Sequence, residues 1–292
     1  MAIKLGCADF TWPLLPHEDV VKLVKMLDFD GIDLGIFAGR SHIRPEVIRQ
    51  DIPMWSGIIR ERLDRAELEV ADVFLAPSLQ LDEFAINSPD PHQQVESRAI
   101  FSDVLEFARR IGAPGMTMNS GVVFPGESAR SSLRHSAEGL KWRVDEAARH
   151  GIQIRIEGAK VGALNTDTPE KLLELVSLTP GLKLTVDYCH FVYQGMPESR
   201  IEPLLDHAGH FQCRGATKGR MQVRFQENAI DYGRIIKRLK ELDYSGYFSI
   251  EYVFVDFWDC NRTENTMETI QFRDFARAAL EGRDHVSYAA PI

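Results

Sequence analysis

Four polar side chains stand at the ends of four successive apolar runs in the second half of the sequence. "IQIRIEG" carries Glu157, "LKLTVDY" carries Asp187, "HFQCRGA" carries Gln212 and "GYFSIEY" carries Glu251. Three carboxylates facing one another in a low-dielectric cup repel, and a bound divalent cation removes that penalty. All four groups offer oxygen, which suits manganese or magnesium better than zinc. One ion is expected, manganese first, with magnesium or cobalt as substitutes. A helix cap or a surface ion pair is the alternative for any single acid; a register of four on successive strands favours the ion. Such a site lowers the cost of the ene-diolate formed when a carbon beside a carbonyl loses its proton. Simple replacement of the proton makes an epimerase or a ketose–aldose isomerase. Loss of a group from the next carbon makes a lyase or dehydratase.

The elements that must position these groups alternate along the whole chain. Apolar, β-branched runs at 2–8, 31–37, 69–76, 115–120, 152–158, 182–188, 210–216 and 246–252 read as strands. The segments between them repeat apolar residues at three- and four-residue intervals, as amphipathic helices do. Thr168-Pro169 reads as a helix start, and Gly112 and Gly151 as helix stops. Eight strand–helix units in 292 residues fit a single (β/α)8 TIM barrel over residues 1–292, with a C-terminal helical extension. The longest irregular stretches are expected after the third strand, at 77–94, and after the seventh, at 213–233. In such barrels the active site lies at the C-terminal ends of the strands, where the four polar groups fall.

Composition narrows the class. With 44% hydrophobic residues the chain can bury a core, and its net charge of −9 argues against a large phosphate-binding surface for nucleic acid. The cysteines, Cys7, Cys189, Cys213 and Cys260, form no C-x-x-C pair and are read as reduced thiols. The N-terminus reads as a strand and not as a signal peptide, and no apolar run approaches the roughly 20 residues of a membrane span, so a cytoplasmic protein is expected.

The motifs "IRIEG", "TVDYCH", "HFQCRGA" and "GYFSIEY", in this order and at these intervals, resemble the xylose isomerase-like sugar (phosphate) isomerase/epimerase barrels over essentially the whole chain. The resemblance implies that Glu157, Asp187, Gln212 and Glu251 bind one divalent metal and that Glu157 and Glu251 move protons on opposite faces of a keto-sugar. It implies that His190 contacts a substrate oxygen. One departure stands out: many relatives carry H-x-H on the seventh strand, whereas this chain has His210-Phe211-Gln212, so an amide takes the ligand position. "QCRGATKGRMQ" and "FWDCNRTENTMET" are more similar to the C-glycoside deglycosidase α subunits, which eliminate an aglycone from a 3-oxo-sugar beside a small β-rich subunit. A lyase of that kind, or a keto-sugar dehydratase, is the alternative; otherwise a homo-oligomer is expected. Abasic-site DNA repair, on the same fold, needs a histidine-rich zinc cluster and a basic groove, and the net charge and Gln212 both weigh against it.

Further candidates for substrate binding follow from their places beside strand ends. His210 alternates with Gln212 and so points the same way, into the core or toward the ligands. Arg214, Lys218 and Lys160 stand on loops where they bind hydroxyls or an anion, or else are solvated charges. Phe10 and Trp12 are read as an apolar wall over a sugar ring or as packing. Asn119 is read as a hydroxyl partner or a cap, and His42 as a loop histidine or the general acid of an elimination. Cys189 and Cys213 alternate away from the ligands and are read as buried structural thiols.

Overall fold

The computed structural model describes residues 2–159, 162 and 164–283. Eight parallel strands close into a barrel in chain order. They are β1 (Lys4–Ala8), β2 (Gly31–Phe37), β3 (Glu69–Ala76), β4 (Gly115–Asn119), β5 (Gln153–Glu157), β6 (Lys183–Asp187), β7 (Ala208–Cys213) and β8 (Tyr247–Ile250). Six of the seven crossovers carry a helix of ten residues or more, and one more such helix, Asn265–Glu281, follows β8. The exception joins β6 to β7 through short turns at Cys189–Val192, Glu198–Ile201 and Glu202–His207. Among the described residues no helix is long and apolar enough to cross a membrane.

The expected helix signals act where the sequence placed them. The Thr168 hydroxyl accepts from Lys171 N at the start of the helix Pro169–Leu178, and Gly112 ends its helix at φ +78°. Only a residue without Cβ takes that left-handed cap freely. β7 begins two residues earlier and ends three residues earlier than its apolar run suggests, and β8 ends at Ile250. Glu251 therefore stands one residue past its strand, yet its amide still donates to Cys213 O at 2.8 Å, which fixes it against β7.

The strands bury both faces, and the two faces differ in chemistry. Ile154, Ile156, Leu184, Val186, Phe211 and Phe248 join the large apolar core. The alternating residues turn into the barrel and are polar. Arg155 Nη1 donates to Asp72 Oδ1 at 2.9 Å, and Thr117 Oγ1 to Asp72 Oδ2 at 2.5 Å, all four partners in this ladder being buried once Thr185 is included. Gly115 makes room for that guanidinium, since a Cβ there would meet Arg155 Cζ at 2.2 Å. A second set lies across the barrel: Asp33 Oδ2 accepts from His210 Nε2 at 2.9 Å and from Gln212 Nε2 at 3.2 Å, and Asp33 Oδ1 from Ser249 Oγ at 3.0 Å. Buried charges survive when each oxygen is bonded, which this arrangement achieves for Asp33.

Candidate active site

A cavity of about 610 Å³ opens where the strands end. Each strand, or the loop just after it, sends a residue into its wall, from Phe10 and Phe37 through Ala76 and Asn119 to Glu157, His190, Arg214 and Glu251. Register sets the heights: Asp187 pairs with Gln212 across β6 and β7, Gln212 with Ser249 across β7 and β8, and Glu157 with Thr185 across β5 and β6. The barrel stagger thereby gathers acids from distant parts of the chain into one cup.

His190 Nε2 lies 3.5 Å from Glu157 Oε1 and 3.4 Å from Asp187 Oδ2. Asp187 spends its other oxygen on Cys189 N, at 2.8 Å. Arg214 reaches between two acids: Nη1 donates to Glu251 Oε1 at 2.8 Å, and Nη2 stands 3.4 Å from Asp187 Oδ2. Its backbone is clamped from behind, because Tyr232 OH donates to Arg214 O at 2.7 Å. Gln212 gives its amide nitrogen to Asp33, which turns the amide oxygen the other way.

What remains is the informative part. Glu157 Oε1, Asp187 Oδ2, Gln212 Oε1 and Glu251 Oε2 are all buried and without a hydrogen-bond partner among the described residues. Native interiors rarely leave one acceptor unpaired, and here four stand at one end of the barrel on four consecutive strands. An acceptor left without a donor is open to a cation or to a bound molecule. Among the described residues, one group of metal-ligating side chains has its donor atoms mutually within 4.8 Å: Glu157, Asp187 and His190. His190, expected on a substrate oxygen, thus stands with two of the expected ligands, from the turn after β6 and not from β7, whereas Glu251, also expected as a ligand, falls outside this group because its carboxylate is drawn to Arg214.

Electrostatics agree with the crowding. Burial pushes the Glu251 carboxyl well above the usual range; Arg214 pulls it back, and the charges of Glu157 and Asp187 push it further up. Burial disfavours the Arg214 charge, yet Glu251 and Asp187 outweigh it and hold the guanidinium protonated. Arg214 is thus neither a solvated loop charge nor a free anion hook, but the counter-charge of two acids. Arg214→Met is expected to destabilise the metal-free protein by about 3–5 kcal/mol, because two buried carboxylates would lose their partner. Urea denaturation measures this.

The other sequence-stated positions divide. Asn119 ends β4 and lines the cavity, as does Phe10. His210 is fully buried and bonded to Asp33, below the cavity wall, so it orients other groups and does not touch a bound molecule. Trp12 is not an aromatic wall: its indole N–H donates to Thr266 Oγ1 at 3.0 Å and fastens the last helix, Asn265–Glu281. His42 is turned away from the cavity; its Nε2–H donates to Leu15 O at 2.9 Å, and Nδ1 lies 3.9 Å from Asp9 Oδ2. Lys218 is exposed outside the cavity lining, and Lys160 lies outside the described residues. Cys189 and Cys213 are buried free thiols.

Asp33 was not singled out from the sequence. Its signal was there, a lone acid in the middle of the apolar run "GIDLGIF", but only the partners across the barrel give it meaning. Phe37, Phe74 and Trp258, which line the same cavity, read from sequence as ordinary strand and loop aromatics.

Comparison with known proteins supports the same architecture. The family model described as "Xylose isomerase-like TIM barrel" matches residues 21–274. A 2-oxo-tetronate isomerase of Pectobacterium atrosepticum is 29% identical over 168 residues, which span 56% of this chain and 63% of that enzyme. An L-ribulose-5-phosphate 3-epimerase of Shigella boydii is 21% identical over 265 residues, covering 89% and 88% of the two chains. The solved structure of an L-ribulose 3-epimerase superimposes with a TM-score of 0.75 at 16% identity, over 97% of this chain and 95% of that one.

Proposed function

Since the chain belongs to the xylose isomerase-like TIM barrel family, we propose that it is a divalent-metal-dependent sugar isomerase or epimerase acting on a small keto-sugar. The observation that carries this reading is the set of four buried oxygens without a hydrogen bond on Glu157, Asp187, Gln212 and Glu251, with His190 beside Glu157 and Asp187. These residues would hold the ion, manganese being the best match for a set dominated by oxygen donors. When bound, it supplies positive charge against the anion that develops as a carbon next to a carbonyl loses its proton.

The protein's own groups do the rest. Glu157 and Glu251 enter the cavity from β5 and from the end of β8, so they address a bound sugar from different directions. One takes the proton and the other returns it, each within reach of the carbon it serves. His190 hydrogen-bonds the oxygen at that carbon, held in place by its contacts with Glu157 and Asp187. Arg214 keeps Glu251 aimed. The named substrates of the relatives, 2-oxo-tetronate and L-ribulose 5-phosphate, are both carbonyl-bearing sugar derivatives and fit this chemistry.

The test is incubation of the manganese-loaded protein with ketoses and 3-oxo-glucose in deuterated water. Deuterium is expected at the carbon beside the carbonyl; no incorporation into any of them would overturn the proposal. Release of a fragment in the same tube would move the reaction to elimination.

Asp33 gives a sharper check on the ligand set. Groups that orient a metal's ligands typically contribute 10–100-fold to affinity. Asp33→Ala is expected to weaken manganese binding by about that factor, by freeing the Gln212 amide to rotate, and titration calorimetry reads it. Unchanged affinity would remove Gln212 from the ligands.

A further inference from the structure

We infer that the helical layer outside the barrel carries a second site, between the helices Pro91–Ile111 and Ala129–Ala148, which binds a small phosphate-bearing anion through Arg143 and Arg98. This site is separate from the strand-end cavity and independent of the keto-sugar reading.

Among the described residues three arginines are buried: Arg143, Arg155 and Arg214. Arg155 pairs with Asp72, and Arg214 with Glu251 and Asp187. A buried charge ordinarily has such a partner, because leaving water costs more than neutral hydrogen bonds return. Arg143 is 1% exposed and has no carboxylate partner among the described residues. Its Nη1 donates to Gly139 O and its Nη2 to Ser97 Oγ, both at 2.8 Å, and its Nε has no partner among the described residues. The Phe101 and Trp142 rings lie 5.4 and 5.7 Å from the guanidinium, which orients it without neutralising it.

A cavity of about 240 Å³ opens beside this group, and its lining includes Ser88, Gln94, Arg98, His135, Glu138 and Arg143 itself. Arg98 brings a second cation that has no acid partner among the described residues; its guanidinium lies 5.4 Å from the same Trp142 ring. Glu138, the one acid among the described lining residues, pairs with neither arginine. His135 is turned to Glu127, Nδ1 to Oε1 at 2.6 Å. Burial, and after it the charge of Arg98, push the Arg143 guanidinium down to about 10. Two like charges at one pocket repel, and a dianion between them removes that cost. Phosphate is the dianion whose oxygens match the planar fork of arginine. The volume is below that of sites for drug-sized molecules and suits phosphate or a short phosphate ester.

The segment after β3 supplies the rest of the lining, from Ile86 to Pro89. A Cβ at Gly139 would meet Ile86 O at 2.4 Å, so glycine lets the helix close on this segment. Asn87 ties it onward: Nδ2 donates to Val122 O at 2.7 Å, and Oδ1 accepts from Val122 N at 3.0 Å. Earlier residues of the same segment, Ser78, Leu79 and Leu81, line the strand-end cavity. A bound anion therefore steadies, from behind, a stretch of chain that walls the candidate active site.

The experiment titrates inorganic phosphate into the full-length protein at an ionic strength held constant with chloride, read by calorimetry and by tryptophan fluorescence. One phosphate per chain is expected, with a change in emission that Trp142→Phe removes while the heat of binding persists. Arg98→Ala should weaken binding about fivefold, as loss of a solvent-screened charge does. Arg143→Met should weaken it roughly tenfold or more, as loss of a buried charge-assisted contact does. The exposed Arg98 variant carries the test should the Arg143 variant fold poorly. Glycerol 3-phosphate separates the sources: tighter binding than inorganic phosphate makes the ligand a phosphate ester, and equal or weaker binding makes it the free anion. Absence of saturable binding, or unchanged affinity in Arg98→Ala, would overturn the inference. Binding that leaves the Trp142 emission unmoved puts the anion elsewhere on the chain and overturns it equally.

Discussion

Glu157→Gln and Glu251→Gln, made singly, lower keto-sugar turnover by about 10²–10⁴-fold, the usual contribution of a positioned acid or base. Glutamine keeps the shape and one oxygen, so ligation of the ion is weakened less than proton transfer. The expected signature is therefore a fall in kcat with retained manganese binding, measured by deuterium exchange alongside calorimetry. Stability should move the opposite way. Burial raises the Glu251 carboxyl most, and the charges of Glu157 and Asp187 raise it further, so the three acids repel in the metal-free protein. Removing the Glu157 charge relieves part of that repulsion without touching Arg214, which pairs with the other two. Metal-free Glu157→Gln is thus expected to melt at or above the wild-type temperature. Near-normal turnover in both variants would strip the glutamates of the roles given them.

Metal removal has the second large effect. Dialysis against a chelator is expected to abolish exchange, and one manganese per chain to restore it, counted by elemental mass spectrometry. Ligands that bind only the folded state stabilise it by RT ln(1 + [L]/Kd), about 2.7 kcal/mol at a hundredfold excess over Kd. For a chain of this size that is a rise of roughly 4–5 °C in melting temperature. Asp187→Asn should cancel most of the rise, since Asp187 Oδ2 is among the unpartnered buried oxygens and its other oxygen is already bonded to Cys189 N. Full activity after thorough chelation would disprove the metal. Several tightly held zinc ions per chain would point instead to a repair-type cluster.

Much of this was readable before any coordinates. The alternation of apolar runs with amphipathic segments is a local property, because buried parallel strands and surface helices impose different periods on the chain. Hence all eight strands lie within about three residues of where the sequence placed them, and the helix start at Thr168 and the stop at Gly112 lie at the residues it named. Position at a strand end is equally local, so Glu157, Asp187, Gln212 and Glu251 could be picked as one set. Partnership across the barrel is not local. Whether His190 faces the acids, whether His210 meets substrate or Asp33, and whether Arg214 is a loop charge or a bridge between Asp187 and Glu251 depend on residues many positions away. Trp12 shows the same limit, since its partner Thr266 lies at the far end of the chain. The aromatic side of the cavity is the clearest case: Phe10, Phe37 and Phe74 sit on three separate strands or their loops, and only barrel closure turns three unremarkable phenylalanines into one surface. Periodicity along a chain reports which face of an element is buried; what that face meets is decided by closure and register.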